Sequence, residues 1–291
     1  MGKHQSFGRE ISYASSAKSR SGRAFIRTME NLTGRPKLLK KALGYDQDVA
    51  NGKDFWEVMV KRYDVSLDFV GGGLDKIPSS GPVIVIANHP FGILDGLVLG
   101  HLMSQTRKDF RILAHRVFNK SEELNKIILP ISFDETKEAV KQNLQTRKEA
   151  IDYLSHGGCI GIFPGGTVST SARPMGQAMD PQWRNFTAKL VQKSGAAVVP
   201  VYFDGSNSRL FQIASHANYN LRMALLIREF KKRIRKSVPV VIGDPIEQHT
   251  LAKYRDNPTA MMEFLRKATY SLSPTPLGNY DHGFEFEDHY R

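Results

Sequence analysis

Val83-Ile84-Val85-Ile86-Ala87 runs straight into Asn88-His89-Pro90-Phe91-Gly92-Ile93-Leu94-Asp95-Gly96, and an apolar, helix-like segment continues from Leu97 to Met103. Five consecutive small or branched apolar residues between Gly81-Pro82 and Pro90 describe a strand covered on both faces, as in the interior of a parallel sheet. Proline closes the strand and Gly92 permits a tight turn before the helix. A histidine released at the end of such a strand, with an acid just beyond it, stands where α/β proteins commonly place chemistry.

Strand and helix signals alternate around this stretch. Candidate strands cover 65–70, 83–87, 110–114, 128–133, 159–163, 197–203 and 238–242. A helix from Thr136 to Ser155 places Val140, Leu144, Ile151 and Leu154 on one face and stops at Gly157-Gly158. Further helices are expected over 183–193 and 260–272. Strands separated by helices imply βαβ units, hence an α/β fold with a largely parallel central sheet flanked by helices.

A small N-terminal helical motif precedes the sheet. Phe25, Ile26, Met29 and Leu32 fit one face; Gly34-Arg35-Pro36 interrupts; Leu38, Leu39 and Leu43 resume; Phe55, Val58 and Met59 form a third segment. The expected division is a basic arm and helical motif over 1–63, an α/β core over 64–273 and an irregular tail over 274–291.

The chain of 291 residues is 41% hydrophobic and 24% charged, values of a globular protein able to bury a full core. The single Cys159 excludes an intrachain disulfide framework and a Cys-rich zinc site, and fits a reducing compartment. No stretch reaches the roughly 18 uninterrupted apolar residues of a membrane span, and no secretory signal is visible. Met1-Gly2 with Ser6 matches the short myristoylation pattern. His115, His156, His216 and His249 lack paired ligand spacing, so no metal site is expected.

The formal net charge of +12 is concentrated: residues 1–44 carry +8 and residues 219–238 carry +6, leaving the remainder close to neutral. Met223, Leu226, Ile227, Phe230 and Ile234 make a helical stripe framed by Arg222, Arg228, Lys231, Lys232, Arg233, Arg235 and Lys236. Such a helix over 219–236 either lies in an anionic membrane interface or packs on the sheet with a solvated basic face. Arg222, Arg228, Lys231, Lys232 and Arg235 are the membrane-binding candidates. Few aromatics interleave with the cations and no nucleic-acid motif is present, so no nucleic-acid partner is expected.

Three stretches could carry chemistry. Imidazole titrates in the range a general base needs, and a carboxylate near its other ring nitrogen fixes the tautomer, so His89 and Asp95 are candidate base and partner. Phe163-Pro164-Gly165-Gly166-Thr167-Val168-Ser169-Thr170 follows a strand and can present backbone N–H groups to an oxyanion or phosphate. Asn88, Phe91, Gly92, Phe163, Pro164, Gly165, Gly166, Thr167 and Ser169 are the substrate-binding or oxyanion candidates. Val198-Val199-Pro200-Val201 is a buried strand. No Gly-x-Ser-x-Gly elbow marks a serine hydrolase.

In this order, from Val65 to Ile246, these stretches resemble the glycerolipid (lysophospholipid) acyltransferase family. The resemblance implies His89 as general base and Asp95 as its partner, an acyl-CoA or acidic acyl-carrier protein as acyl donor, and no further cofactor. It also implies a lysolipid acceptor and peripheral residence on the cytoplasmic face of an anionic membrane. Five residues separate His89 from Asp95 where the family has four, a variant associated with the subgroup carrying Asn-His-Pro-Phe-Gly; the Gly92 turn must absorb the extra residue.

The family's third motif reads Phe-Pro-Glu-Gly-Thr-Arg-Ser. Here Gly165 replaces the glutamate and Val168 the arginine, and Ile131-Ser132-Phe133-Asp134 lacks the arginine of the second motif. Valine cannot replace a bidentate arginine on a phosphate, and one such contact is worth on the order of 1.5–3 kcal/mol. A lyso-aminolipid therefore fits better than lysophosphatidic acid, which points to the lyso-ornithine-lipid-like O-acyltransferase branch. The alternatives are a 1-acylglycerol-3-phosphate acyltransferase, a lipid esterase or thioesterase in which the same base activates water, and a non-catalytic membrane-binding protein.

Overall fold

A computed structural model describes residues 11–115, 122–132 and 136–286. The myristoylation pattern and Phe133-Asp134 lie outside the described residues. Helices α1 (Arg20–Thr33), α2 (Arg35–Ala42), α3 (Tyr45–Ala50) and α4 (Phe55–Tyr63) come first. Strands β1 (Ser66–Gly71) and β2 (Val83–Ala87), helix α5 (Ile93–Thr106), β3 (Phe110–His115), α6 (Glu122–Ile127), β4 (Ile128–Ile131), α7 (Lys137–Ser155) and β5 (Cys159–Ile162) follow. The small hairpin β6 (Thr170–Ser171) and β7 (Ala178–Met179) leads to α8 (Asn185–Ser194), β8 (Ala197–Phe203), α9 (Arg209–Ala217) and α10 (Tyr219–Arg233). The chain then forms β9 (Ser237–Ile242), α11 (Gln248–Leu251) and α12 (Pro258–Tyr270).

The seven-stranded sheet has the order β1-β9-β8-β2-β5-β3-β4. Strands β8, β2, β5, β3 and β4 are parallel. Strand β9 runs antiparallel to β8 and parallel to β1, so one edge of the sheet is a reversed pair. Helices cover both faces. Val83, Val85 and Ala87 point into the core shared with α4 and α5, while Ile84 and Ile86 join residues of α7, α8 and α12. Apolar contact on both sides is why β2 has no polar alternation.

The order places the site. From β2 the chain passes through α5 to β3, beyond β5 on one side, whereas β5 eventually leads to β8 on the other. Crossovers therefore diverge at the carboxyl ends of β2, β5 and β8, the place where open α/β sheets bind their ligands. Close packing of the helical motif against the core is visible at Gly100 of α5, where a Cβ would lie 2.3 Å from the Trp56 ring of α4.

Several helix faces differ from the sequence expectation. On α7 the buried residues are Ala139, Thr146, Ala150 and Leu154, while Val140 and Leu144 are exposed. On α1 Gly22, Ile26 and Glu30 face inward, leaving Phe25 and Leu32 outside; Leu43 after α2 is also exposed. Small or polar residues (Gly22 and Glu30 on α1; Ala139, Thr146 and Ala150 on α7) take most of the inward positions, so the periodicity of the large apolar residues mislocates the face. Residues 11–22 are no loose arm: Ile11, Ser12, Ala14 and Ala17 are buried, and buried Glu30 accepts from the Ser12 hydroxyl and the Tyr13 amide.

Candidate active site

Asn88 ends β2 and is consumed by structure. Its Nδ2 donates to the Phe203 carbonyl at 3.0 Å, and its Oδ1 accepts from the Phe203 amide at 2.7 Å, which clips β2 to β8. His89 follows. Gly92 adopts φ 83° and allows the chain to reverse into α5, whose third residue is Asp95. Asp95 Oδ2 accepts from the amides of Phe91 (2.7 Å) and Gly92 (2.9 Å) and lies 2.8 Å from His89 Nδ1. The helix N-terminus favours an anion at this place. The five-residue spacing is thus taken up inside the turn, and the two side chains meet.

Asp95 is fully enclosed while the His89 side chain keeps 18% of its surface. Burial pushes the Asp95 carboxyl above its ordinary range, against the opposing pull of His89 and the two amides. His89 Nε2 makes no hydrogen bond among the described residues. Tyr13, from the N-terminal segment, accepts from the Ile93 amide at 3.0 Å and so pins the first residue of α5.

The loop after β5 wraps this histidine. Phe163 stacks on its ring, with centroids 4.4 Å apart and planes at 26°. The His89 carbonyl accepts from the Ser169 amide at 2.8 Å, and the His89 amide donates to Asp180 Oδ1 at 3.2 Å. Asp180 is a buried hub that also accepts from the Ser169 hydroxyl and, at 2.9 Å, from Trp183 Nε1; its own amide donates to the Tyr270 hydroxyl at 2.7 Å. Its carboxylate adjoins Gly165, where a Cβ would meet it at 3.3 Å. Any side chain at position 165 would start in tight contact with Asp180.

A second unforeseen element is Arg222, which reaches the same loop from α10 and is 1% exposed. Nη1 donates to the Thr170 and Ser215 hydroxyls, and Nη2 donates to Thr167 Oγ1 at 3.2 Å and the Val168 carbonyl at 2.8 Å. No carboxylate pairs with it among the described residues, and burial pulls its pKa down to about 9. Residues 167, 168 and 170 bind Arg222 while residue 169 binds His89, so one loop is fixed from both sides.

The family model described as acyltransferase matches residues 31–276. This chain belongs to the acyltransferase family. Among characterised relatives it is similar to the lyso-glycine lipid O-acyltransferase of Phocaeicola vulgatus, 26% identical and covering 76% of this chain and 78% of that protein. It is also similar to the lyso-glycine lipid O-acyltransferase of Bacteroides thetaiotaomicron, 25% identical over 76% and 80% of the two chains. A solved structure of the 1-acyl-sn-glycerophosphate (LPA) acyltransferase from Thermotoga maritima aligns at a TM-score of 0.46 with 16% identity, over 91% of this chain and 87% of that one.

Within this acyltransferase the candidate residues divide sharply. His89, Asp95, Phe163, Gly165, Gly166, Thr167 and Ser169 come together at the strand ends. Asn88 is not free to bind substrate, because both ends of its amide serve β8. Phe91 is core, 1% exposed, with the Arg233 guanidinium 4.0 Å from its ring centroid. The Gly92 amide is spent on Asp95 and the Gly166 amide on the Phe163 carbonyl at 3.0 Å, so neither is available to an oxyanion. Pro164 occupies the second position of that turn and is buried. The Gly165 amide makes no hydrogen bond among the described residues.

The basic helix is also reassigned. Leu226, Ile227, Phe230 and Ile234 are buried, because α10 packs beneath α1 and beside α9. Arg222 is interior. Arg228 and Lys232 pair with buried Glu229 at 3.1 and 3.2 Å, Lys231 donates to the Thr33 carbonyl at 3.1 Å, and Arg235 pairs with Asp64 at 3.4 Å. The apolar stripe is therefore taken by the core. Among the described residues no cluster could hold a metal ion.

Proposed function

We propose that this acyltransferase moves a fatty acyl group from an acyl thioester, acyl-CoA or acyl-carrier protein, to the hydroxyl of a lyso-aminolipid during membrane lipid synthesis. The observation that carries the reading is the 2.8 Å contact between His89 Nδ1 and Asp95, which leaves Nε2 without a partner among the described residues on a side chain that keeps 18% of its surface. Nε2 takes the acceptor's hydroxyl proton as that oxygen attacks the thioester carbonyl. The C–O bond forms, the tetrahedral oxyanion collapses, the C–S bond breaks, and the thiolate recovers the proton from the imidazolium. Asp95 stabilises that imidazolium and holds its orientation. The Gly165 amide is the candidate donor to the oxyanion.

Two observations favour an acylated amino acid as acceptor. Both characterised relatives act, by name, on lyso-glycine lipid. Gly165 and Val168 stand where the glutamate and arginine associated with a glycerol phosphate would be. No helix among the described residues is long and apolar enough to cross a membrane; the residence proposed here, from the lipid nature of the acceptor, is peripheral and at the cytoplasmic face.

Purified protein supplied with acyl thioester should acylate lyso-glycine or lyso-ornithine lipid faster than lysophosphatidic acid. His89→Ala should abolish transfer with the fold intact by circular dichroism. Preference for lysophosphatidic acid would overturn the acceptor, retained activity in His89→Ala would remove the base, and free fatty acid as the sole product would make water the acceptor.

A further inference from the structure

Leu210 and Ile213 lie on the outer face of α9, 50% and 46% exposed, and exposed Ala217 continues their line. Met175, 70% exposed, is held beside them, because Arg209 Nη1 donates to the carbonyls of Met175 (3.0 Å) and Gly176 (2.6 Å). Tyr219, 47% exposed, extends the strip to the corner where Asn220 abuts Gly22 of α1. Soluble proteins seldom leave a contiguous apolar strip open without a partner.

Two further features say what the partner is. Residues 160–179 and 205–228 contain no Asp or Glu, and Arg173 and Arg209, both exposed, have no carboxylate partner among the described residues. An aliphatic strip flanked by cations, on two segments that carry no acidic residue, matches an anionic lipid surface, which repels acids and takes up apolar side chains at its interface. The strip is also continuous with the loop that holds His89. Gln212 Oε1 accepts from the Ser171 amide at 2.9 Å, His216 Nε2 lies 2.9 Å from the Ser171 carbonyl, and two residues earlier the Ser169 amide binds His89.

We propose that α9 and the turn between β6 and β7 dock on an anionic bilayer, with Met175, Leu210, Ile213 and Tyr219 entering the interface and Arg173 and Arg209 meeting lipid phosphates. This rests on the reading that acceptor and product are lipids, which the enzyme would then draw from and return to the surface it sits on. The docking surface is thus not the stripe of α10.

Flotation of the full chain on phosphatidylcholine vesicles, with and without phosphatidylglycerol, tests the docking without any turnover. Wild type should bind the anionic vesicles, and Leu210→Ser with Ile213→Ser should weaken binding by about tenfold or more through lost apolar contact. A matched pair on α1, Phe25→Ser with Leu32→Ser, serves as comparison, and melting curves confirm that both proteins fold. Activity on a micellar acceptor should survive in the α9 variant while activity on a vesicle-embedded acceptor falls. Unchanged vesicle binding in the α9 variant, loss confined to the α1 variant, or no binding by wild type would each overturn the proposal. Binding without acyl transfer to any lysolipid would instead uphold the docking and refute the functional reading.

Discussion

Asp95→Asn separates the charge of the carboxylate from its geometry. In the wild type Oδ2 faces three donors, the amides of Phe91 and Gly92 and His89 Nδ1, while Oδ1 has no partner. The two amides are fixed by the turn, so an asparagine must put its carbonyl oxygen in the Oδ2 position and its NH2 in the empty Oδ1 position. His89 then keeps an acceptor, and with it the tautomer that frees Nε2. Only the charge is lost. A hydrogen bond to a charged group contributes about 1.5–3 kcal/mol and a neutral one about 0.5–1.5, so the difference is roughly 1–2 kcal/mol. If that difference is expressed on the imidazolium of the transition state, kcat falls about 5- to 30-fold.

Asp95→Ala removes the acceptor as well. The tautomer is no longer fixed, and the loss should approach the roughly 10⁴-fold seen where the carboxylate supporting a catalytic histidine is removed. Stability separates the variants too. Burial raises the Asp95 pKa in the folded chain. Between its unfolded and folded values the folded state therefore binds the extra proton, and this group's contribution to stability is lost as pH rises through the folded pKa. The asparagine variant lacks that slope, and its NH2, lodged in the partnerless Oδ1 position, costs about 1–3 kcal/mol. The alanine variant leaves two buried amides without an acceptor, at about 1–3 kcal/mol each. Steady-state transfer assays with urea titrations at several pH values measure both effects. The reasoning fails if Asp95→Asn is as inactive as His89→Ala, or if Asp95→Ala stays within about tenfold of wild type in the face of the tautomer argument.

Asn88→Ala should destabilise the protein by about 2–4 kcal/mol, because it orphans both the amide and the carbonyl of Phe203 in the sheet; a change within experimental error by chemical denaturation would show the clip to be dispensable. Cys159 is fully buried and burial pushes its thiol up to about 12. It should resist disulfide reagents at mildly alkaline pH and react readily in denaturant; rapid labelling of the native protein would contradict the buried strand. At Gly283 a Cβ would meet the Met179 carbonyl, and the native glycine amide donates to the Asp180 carbonyl at 2.8 Å. Gly283→Ala should unseat the C-terminal segment from β6 and β7, seen as faster proteolysis there and lower kcat, and an unchanged cleavage pattern would argue against this.

What was legible in the sequence is what local chemistry fixes. The apolar run 83–87, the proline and glycine that end it, and the alternation of strands with helices gave the sheet and placed His89 at a strand end. The cap residues worked as well: Thr136 accepts from the Ala139 amide at 3.1 Å at the start of α7. Gly92 is another local signal, since only its positive φ lets Asp95 fold back onto the turn.

Tertiary structure settled which polar groups remain free. Asn88 and Phe203 meet across 115 positions, His89 and Asp180 across 91, and Arg222 and Thr167 across 55, and none of these pairs leaves a periodic signature. Asp180 looks like any loop acid, and Arg222 like one more cation of a basic helix, until folding buries both against the loop after β5. Sequence alone thus established the strand, the turn and the histidine with its acid, because those depend on neighbours a few residues away. Only the folded chain decided that Asn88 is a clip, that Arg222 is interior and that Gly165 adjoins a carboxylate, because burial and hydrogen-bond partners are supplied by segments brought together through the sheet.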